Sequence, residues 1–145
     1  MEKKIVFIGP SEAIHFKRWI KYFAEKEWLV YYIGFHNNLE DYEKYLEQKY
    51  IIPPATSKFT KIIYFKRIIK KIKPHIVNFH YIDYKILFSL FIRNIPVIFS
   101  CYGYDVFKAP RLSKLFKYVF KYIGNYRANL ILSIAEHMTT ELIEF

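Results

Sequence analysis

The chain has 145 residues, of which 53% are hydrophobic and 21% aromatic, and its formal net charge is +10. This length suits one domain with a substantial core, and the apolar content excludes intrinsic disorder. The apolar runs are far shorter than the roughly 20 residues of a membrane-spanning helix, and Ile5–Ile8 is too short for a signal peptide. A single cysteine, Cys101, permits no internal disulfide and suits a reducing cytoplasm.

Six short apolar runs predict strands, in chain order, at Lys4–Ile8, Leu29–Ile33, Tyr50–Ile52, Ile76–Phe79, Val97–Cys101 and Leu130–Ser133. Between them, apolar residues three and four apart predict helices. Ser11 is a candidate N-cap of the first helix, Pro74 ends the helix before the fourth strand, and Gly124 is a candidate C-cap before the sixth. The predicted buried stripes are Phe16, Trp19, Ile20, Phe23 and Ala24, then Ile62, Phe65, Ile69 and Ile72, then Leu112, Phe116, Val119 and Ile123.

Short, continuously apolar strands joined by helices predict an α/β fold with a parallel sheet covered on both faces. Right-handed crossovers favour a doubly wound, Rossmann-like sheet with strand order 3-2-1-4-5-6. Such sheets bind ligands at the carboxyl ends of their strands, near the point where the order reverses. We therefore expect a site at this edge of the sheet.

The residues that follow strands one, four and five are the candidates for this site. Gly9 permits a sharp turn and a close approach of a ligand, and the first helix then presents its N-terminus to an anion or to hydroxyl groups. His80 ends a buried strand, where it either binds a hydroxyl or moves a proton, or satisfies local carbonyl groups. The remaining candidates are Pro10, Ser11, His15, Asp83, Gly103 and Asp105. His15 and His137 are alternatively surface residues, and Asp105 alternatively caps a turn.

Several common motifs are absent from the sequence. Only Gly9 follows the first strand, so neither a G-x-G-x-x-G fingerprint nor a P-loop is present, and no acid follows the second strand. The five histidines lack the spacing of a metal site and one thiol cannot build a zinc site. No G-x-S-x-G elbow occurs.

Positive charge is concentrated in the middle of the chain. Between Gln48 and Ala135 there are sixteen Lys and Arg but two acids, whereas the rest of the chain has seven Lys and Arg and eleven acids. This asymmetry indicates a basic face that meets an anionic partner, or else solvated helix faces rich in lysine. The basic residues that surround apolar helix stripes are Lys58, Lys61, Lys66, Arg67, Lys70, Lys71 and Lys73, and then Lys114, Lys117 and Lys121.

Four stretches resemble family-4 glycosyltransferases of the GT-B type. They read "IGPSEAIHFKRWIKYFAEKEWLVYYIG", "KPHIVNFHYIDY", "IPVIFSCYGYDVF" and "NLILSIAEHMTTEL", and the resemblance extends from Lys4 to Leu142. The resemblance implies the amino-terminal, acceptor-side domain over residues 1–145, incomplete at its C-terminus, with the donor-binding domain absent. Asn78, Tyr102 and Tyr104 depart from the family's pattern.

The resemblance also implies a reaction. A full-length enzyme transfers a sugar from a nucleotide-sugar donor to a glycan or lipid-linked acceptor in polysaccharide biosynthesis, with retention of configuration and without a metal or other cofactor. His80 matches the family's histidine that contacts the transferred sugar, and Asp105 matches the acid of the family's G-S-D-type turn. Gly9 to Ser11 match the loop that borders the donor and the acceptor. The fragment alone is expected to be inactive, cytoplasmic and held peripherally at an anionic membrane surface.

Two other functions stay open. One is a stand-alone module that binds a nucleotide or sugar phosphate. The other is a basic protein that binds nucleic acid, although no recognised nucleic-acid-binding motif is present.

Overall fold

The computed structural model of the chain describes residues 2–36, 39–53, 55–103, 106–107 and 114–144. Six parallel strands form one sheet in the order β3-β2-β1-β4-β5-β6, as the sequence predicts. Their bounds are β1 Lys4–Ile8, β2 Leu29–Gly34, β3 Gln48–Ile51, β4 Ile76–His80, β5 Val97–Cys101 and β6 Leu130–Ser133. The α/β fold class and the doubly wound order are confirmed.

Helical segments follow each of the six strands. They are α1 Ile14–Glu25, a first 3₁₀ helix Glu40–Tyr45, α2 Lys58–Ile72, a second 3₁₀ helix Tyr84–Phe91, α3 Lys114–Arg127 and α4 Glu136–Glu144. In the part of the chain that the structure describes, none of these helices is long and apolar enough to cross a bilayer.

The helical segments form two layers on opposite faces of the sheet. Alternate residues of a parallel strand point to opposite faces, so Phe7 packs with Phe16 and Ile20 of α1, whereas Val6 belongs to the core under α2. We call the side that carries α1 and the first 3₁₀ helix the first layer. The second layer consists of α2, the second 3₁₀ helix and α3, with the second 3₁₀ helix packed against both α-helices.

Two predicted helix caps are wrong. Helix α1 begins at Ile14 with Ala13 at its N-cap and no side-chain cap bond, because residues 10 to 13 form a turn in which the Ala13 N–H donates to the Pro10 carbonyl at 3.3 Å. Gly124 does not end α3 but lies inside it, and the Ala128 N–H still donates to the Gly124 carbonyl at 3.1 Å.

The second helix ends as the sequence indicates. Ser57 caps its start, with Oγ accepting from the Thr60 N–H at 3.1 Å, and Lys73 closes it in a left-handed conformation with φ of 51° just before Pro74. The predicted stripe is confirmed at Phe65, Ile69 and Ile72, which are buried in the core with Ile68. In the third stripe Ile123 is buried, while Leu112 and the side chain of Phe116 lie outside the described part of the chain.

Candidate functional site

The strands β1, β4 and β5 bring their carboxyl ends side by side. In the sheet register Ile8 lies opposite Phe79, and His80 lies opposite Ser100. A Cβ atom built on Gly9 would lie 2.8 Å from His80 Cβ and 3.1 Å from the His80 carbonyl oxygen, closer than side chains tolerate. Gly9 is therefore needed for β1 and β4 to end in contact, and the groups that approach it in this structure are His80 and Phe16, whose Cε2 atom would lie 3.0 Å from that Cβ.

His80 is enclosed at the centre of the edge. Only 1% of its surface is exposed, and its ring packs against Phe7, Phe16 and Trp19 at centroid distances of 5.3, 5.0 and 6.3 Å. Burial removes the water that would solvate an imidazolium, and it lowers the pKa of His80 to about 3. The ring is therefore neutral at physiological pH, so it acts through hydrogen bonds and not through charge.

The two ring nitrogens of His80 have different surroundings. Nδ1 is hydrogen-bonded to the Tyr102 hydroxyl at 2.8 Å, whereas Nε2 is buried and has no hydrogen-bond partner among the described residues. A buried polar atom without a partner costs roughly 1–3 kcal/mol, and such atoms deserve a functional explanation. Nε2 is thus the atom of His80 that has hydrogen-bonding capacity left for a ligand.

Tyr102 covers His80 from the solvent side. Its ring is stacked on His15 at 5.4 Å, on His80 at 5.6 Å and on Tyr81 at 4.7 Å between centroids. His15 is exposed at the start of α1, so Tyr102 joins the predicted residues His15 and His80 into one stack. Sequence analysis identifies Tyr102 as a departure from the family pattern but not as a site residue. Its position directly after β5 is the feature of the sequence that could have indicated a place in the site.

A groove of about 360 Å³ opens beside this stack. It is lined by His15, Arg18, Trp19, Tyr22, Tyr102 and Ile134. Its walls are largely aromatic, and the Arg18 guanidinium supplies several hydrogen-bond donors. An aromatic wall with few polar groups is typical of small-molecule sites, in which the polar groups fix the orientation of the ligand. We call it the aromatic groove.

A smaller pocket of about 200 Å³ lies on the other side of Gly9. Besides the predicted Gly9, Pro10 and Ser11, it is lined by Glu12, Tyr32, Phe35, His36, Tyr84 and Lys85. The buried Tyr32 hydroxyl lies 3.2 Å from the Gly9 carbonyl oxygen, and burial is the main cause that raises the pKa of Tyr32 to about 12. Tyr32 therefore stays protonated and holds the turn after β1 in place.

Asp83 has a structural role at this pocket. Its carboxylate caps the second 3₁₀ helix by accepting from the Lys85 N–H at 2.7 Å, and it pairs with Lys85 Nζ at 2.5 Å. A capping carboxylate satisfies a backbone donor that the helix start leaves unpaired. Through this pair Asp83 fixes Lys85 at the pocket wall, and sequence reasoning did not single out Lys85.

The loop after β5 is described only in part. Gly103 has φ of +118°, which glycine alone adopts at low cost, and its carbonyl accepts from the Phe107 N–H at 2.8 Å. Tyr104 and Asp105 lie outside the described residues, so the role expected of Asp105 stays a prediction. Within the described ranges, no group of three or more His, Cys, Asp or Glu is placed to hold a metal ion.

The remaining histidines have other contacts. His75 accepts the Lys4 N–H on Nδ1 at 3.1 Å, and the exposed His137 stacks on Phe107 at 5.4 Å. Five of the predicted site residues, His15, His80 and Gly9 to Ser11, thus fall into two adjoining groups that meet where Gly9 contacts His80. One is the stack around Tyr102, and the other is the pocket around Gly9 to Ser11.

Comparison with known proteins assigns the chain to a family. Residues 4–135 match the family described as "Glycosyl transferase 4-like". No protein of curated function matches the chain significantly.

Solved structures share its fold. UDP-N-acetylglucosamine 2-epimerase from Rickettsia bellii gives a TM-score of 0.67 at 16% identity, covering 99% of this chain. MurG from Acinetobacter baumannii gives a TM-score of 0.63 at 12% identity and covers 92% of this chain. UDP-GlcNAc 2-epimerase from Methanocaldococcus jannaschii gives a TM-score of 0.65 at 15% identity and covers 98% of this chain. The chain spans 42% of the length of each, and the fold is that of one half of a GT-B architecture. Because the family match extends over most of the sequence, the chain belongs to the glycosyl transferase 4-like family.

Proposed function

We propose that the chain is the acceptor-side half of a glycosyltransferase that moves a sugar from a nucleotide-sugar donor to a glycan or lipid-linked acceptor. The observation that carries this proposal is the family match over residues 4–135, on a sheet whose carboxyl edge holds the aromatic groove. The coverage of 42% of each similar structure leaves room for a second, donor-binding half. Without that half we expect no sugar transfer.

The aromatic groove suits an acceptor sugar. The rings of Trp19, Tyr22 and Tyr102 line the groove with apolar surface, and Arg18 offers donors to hydroxyl, carboxylate or phosphate groups. His15 closes one rim of the groove through its stacking on Tyr102. A sugar held there lies beside His80 and next to the turn at Gly9, which we propose faces the donor.

The proposed reaction keeps the anomeric configuration and uses no metal. The bond between the anomeric carbon and the donor diphosphate breaks, and the acceptor oxygen bonds to that carbon on the same face. The acceptor proton passes to the leaving diphosphate, so that no nucleophile of the protein takes part. His80, neutral in its aromatic enclosure, orients a hydroxyl group of the transferred sugar.

His80 can act on the transferred sugar in two ways, and the variant Tyr102→Phe separates them. In the first, Nε2 bonds the sugar after Tyr102 moves aside, and in the second, Nδ1 fixes Tyr102 as a stacking surface. Tyr102→Phe keeps the ring and removes the hydroxyl. In an enzyme completed by a donor-binding half, a large loss of turnover in His80→Ala with a small one in Tyr102→Phe indicates direct contact, whereas equal losses indicate action through Tyr102.

Intrinsic fluorescence provides the test of acceptor binding. Trp28→Phe leaves Trp19, which lines the aromatic groove, as the single tryptophan of the chain. Titration with octyl glycosides of common hexoses is expected to change the Trp19 emission saturably. The matched control is Trp19→Phe, in which Trp28 reports from outside the groove and is expected not to respond.

The same titration and an assay of substrate conversion distinguish glycosyl transfer from the rival functions. A response to sugar nucleotides alone, with none to any glycoside, contradicts an acceptor-side role and favours a stand-alone sugar-nucleotide module. Conversion of UDP-N-acetylglucosamine by the chain itself, in the absence of an acceptor, likewise contradicts glycosyl transfer and favours epimerase chemistry.

A further inference from the structure

One side of α1 forms most of the aromatic groove. The helix residues that line it are three and four positions apart, and they are His15, Arg18, Trp19 and Tyr22. This spacing brings side chains together on a helix surface. The Trp19 and Tyr22 rings meet edge to face, with 6.1 Å between their centroids. The groove therefore combines two aromatic rings and one guanidinium on a single helix face.

Arg18 supplies the permanent charge of this groove. Among the described residues that line it, Arg18 is the only one that is always charged, and none is an acid. Two other cations of α1 are engaged elsewhere. Lys17 Nζ lies 5.4 Å from the centroid of the Tyr42 ring. Lys21 pairs with Glu25 at 3.6 Å. Arg18 is exposed and, in the part of the chain that the structure describes, lies within ion-pair distance of no carboxylate, so its guanidinium can bind an anion in the groove.

A guanidinium matches a carboxylate both in geometry and in charge. Two of its N–H groups donate in parallel to the two carboxylate oxygens, which makes the contact bidentate. One guanidinium also balances the single negative charge of a carboxylate. A phosphate monoester carries about 1.5 to 2 negative charges at neutral pH, so Arg18 alone would leave part of that charge uncompensated beside apolar walls. The charge of the groove therefore favours a carboxylate.

The aromatic rings beside Arg18 match the body of a sugar. A pyranose ring has C–H groups on its faces and polar groups at its rim, so it packs on aromatic side chains while its rim forms hydrogen bonds. Tyr22 is half exposed and Trp19 is partly exposed, so both offer surface to a ligand. The groove of about 360 Å³ lies at the lower end of the roughly 300–1,000 Å³ of small-molecule sites, which suits the end of a glycan.

We propose that the acceptor sugar in the aromatic groove carries a carboxylate, as a uronic acid residue does, and that Arg18 is the residue that selects it. Arg18 binds the carboxylate, and the sugar ring packs against the aromatic walls formed by Trp19, Tyr22 and Tyr102. A neutral hexose gains the ring contacts but not the charged hydrogen bonds. This inference rests on the proposed function, because it names the class of acceptor for the same site.

Matched glycosides test the preference for a carboxylate. The Trp28→Phe protein, in which Trp19 is the single tryptophan, is titrated with octyl glucoside and with octyl glucuronide, which differ only at C6. The galactoside and the galacturonide form a second pair, octyl glucoside 6-phosphate is the phosphate probe, and all are kept below their micelle concentrations. We expect at least one uronide to bind about tenfold or more tightly than its neutral partner, because hydrogen bonds between charged groups are stronger than neutral ones.

Two variants and a control assign the preference to Arg18. Arg18→Gln removes the charge and is expected to abolish the preference for the uronide, while the affinity for the neutral glycoside changes less than about threefold. Arg18→Lys keeps the charge but loses the bidentate geometry, and it is expected to weaken uronide binding by about three- to tenfold. The control Lys26→Gln removes one charge from the exposed C-cap of α1, about 12 Å farther along the helix axis, and is expected to bind as the wild type does.

Three results would overturn this inference and leave the acceptor-side role intact. The first is equal affinity for the uronides and their neutral partners. The second is a uronide preference that persists in Arg18→Gln, or that Lys26→Gln reduces as much as Arg18→Gln does. The third is tighter binding of the 6-phosphate than of either uronide. If no glycoside changes the Trp19 emission, the result contradicts the acceptor-side role itself, and with it this inference.

Discussion

The burial of His80 predicts a specific pH dependence of stability. In the unfolded chain the imidazole has its ordinary pKa of 6.5, and in the folded chain burial lowers the pKa of His80 to about 3. Between pH 7 and pH 5 the unfolded state therefore takes up a proton that the folded state does not bind. Proton uptake by the unfolded state stabilises it, so the free energy of unfolding falls as the pH is lowered.

The magnitude follows from the two pKa values. From pH 7 to pH 5 the unfolded imidazole changes from mostly neutral to almost fully charged, which stabilises the unfolded state by about 2 kcal/mol, while the folded state remains unprotonated. The loss is nearly insensitive to the folded pKa as long as that value stays well below 5. It amounts to a substantial part of the 5–15 kcal/mol that is typical of a domain.

Urea denaturation at the two pH values measures this loss. Wild-type protein is compared with His80→Gln, which has a similar volume and does not titrate in this range. We expect the wild type to lose about 2 kcal/mol more than His80→Gln between pH 7 and pH 5. Tyr102→Phe retains the buried imidazole and is expected to keep the wild-type difference. Equal losses in the wild type and His80→Gln would refute the claim that His80 is buried and neutral.

The other predictions concern glycines, a cap and turnover. Gly34→Ala is expected to cost about 1–3 kcal/mol of unfolding free energy, because its Cβ would lie 1.8 Å from the Tyr32 hydroxyl oxygen. Gly124→Ala is expected to stabilise by up to about 1 kcal/mol, since its Cβ makes ordinary contacts inside a helix; thermal unfolding that gave both variants the same sign would contradict this contrast. Asp83→Ala removes the 3₁₀ cap and is expected to cost about 1 kcal/mol in urea denaturation, where an unchanged midpoint would count against the cap. In an enzyme completed by a donor-binding half, His80→Ala is expected to lower turnover more than about tenfold, and unchanged turnover in folded protein would remove His80 from the site.

The sheet could be predicted because its signals are local. Lys4–Ile8, Val97–Cys101 and Leu130–Ser133 have the predicted bounds, since each is a short apolar run closed by polar, proline or glycine residues. The edge strand β3 begins earlier than predicted, at Gln48, because an edge strand needs no continuous apolar run to pair on one side. The predicted Tyr50–Ile52 also ends too late. Ile52 lies just beyond the strand, although its N–H still donates to the Gly34 carbonyl at 2.8 Å.

The site was predictable in position but not in its packing. The strand order alone puts Gly9, His80 and Gly103 at one edge of the sheet, and the structure confirms that order. The enclosure of His80 depends on Phe16 of α1 and on Tyr102 after β5, which no periodic pattern connects. A reading of the sequence could therefore place a histidine at the edge, but it could not tell that an aromatic cover makes it neutral.

The distribution of cations supports the proposal that this half binds the acceptor and that a second half binds the donor. A leaving diphosphate needs positive charge close to it, and the neutral His80 supplies none. Among the described residues that line the two cavities at the carboxyl edge, the permanent cations are Arg18 and Lys85, and Lys85 is already paired with Asp83. The other cations of the second layer lie on α2 and α3, and most of those that the structure describes are exposed to solvent. A half-site with aromatic walls and little charge fits the acceptor, and it leaves the diphosphate to be bound by a partner half that brings its own cations.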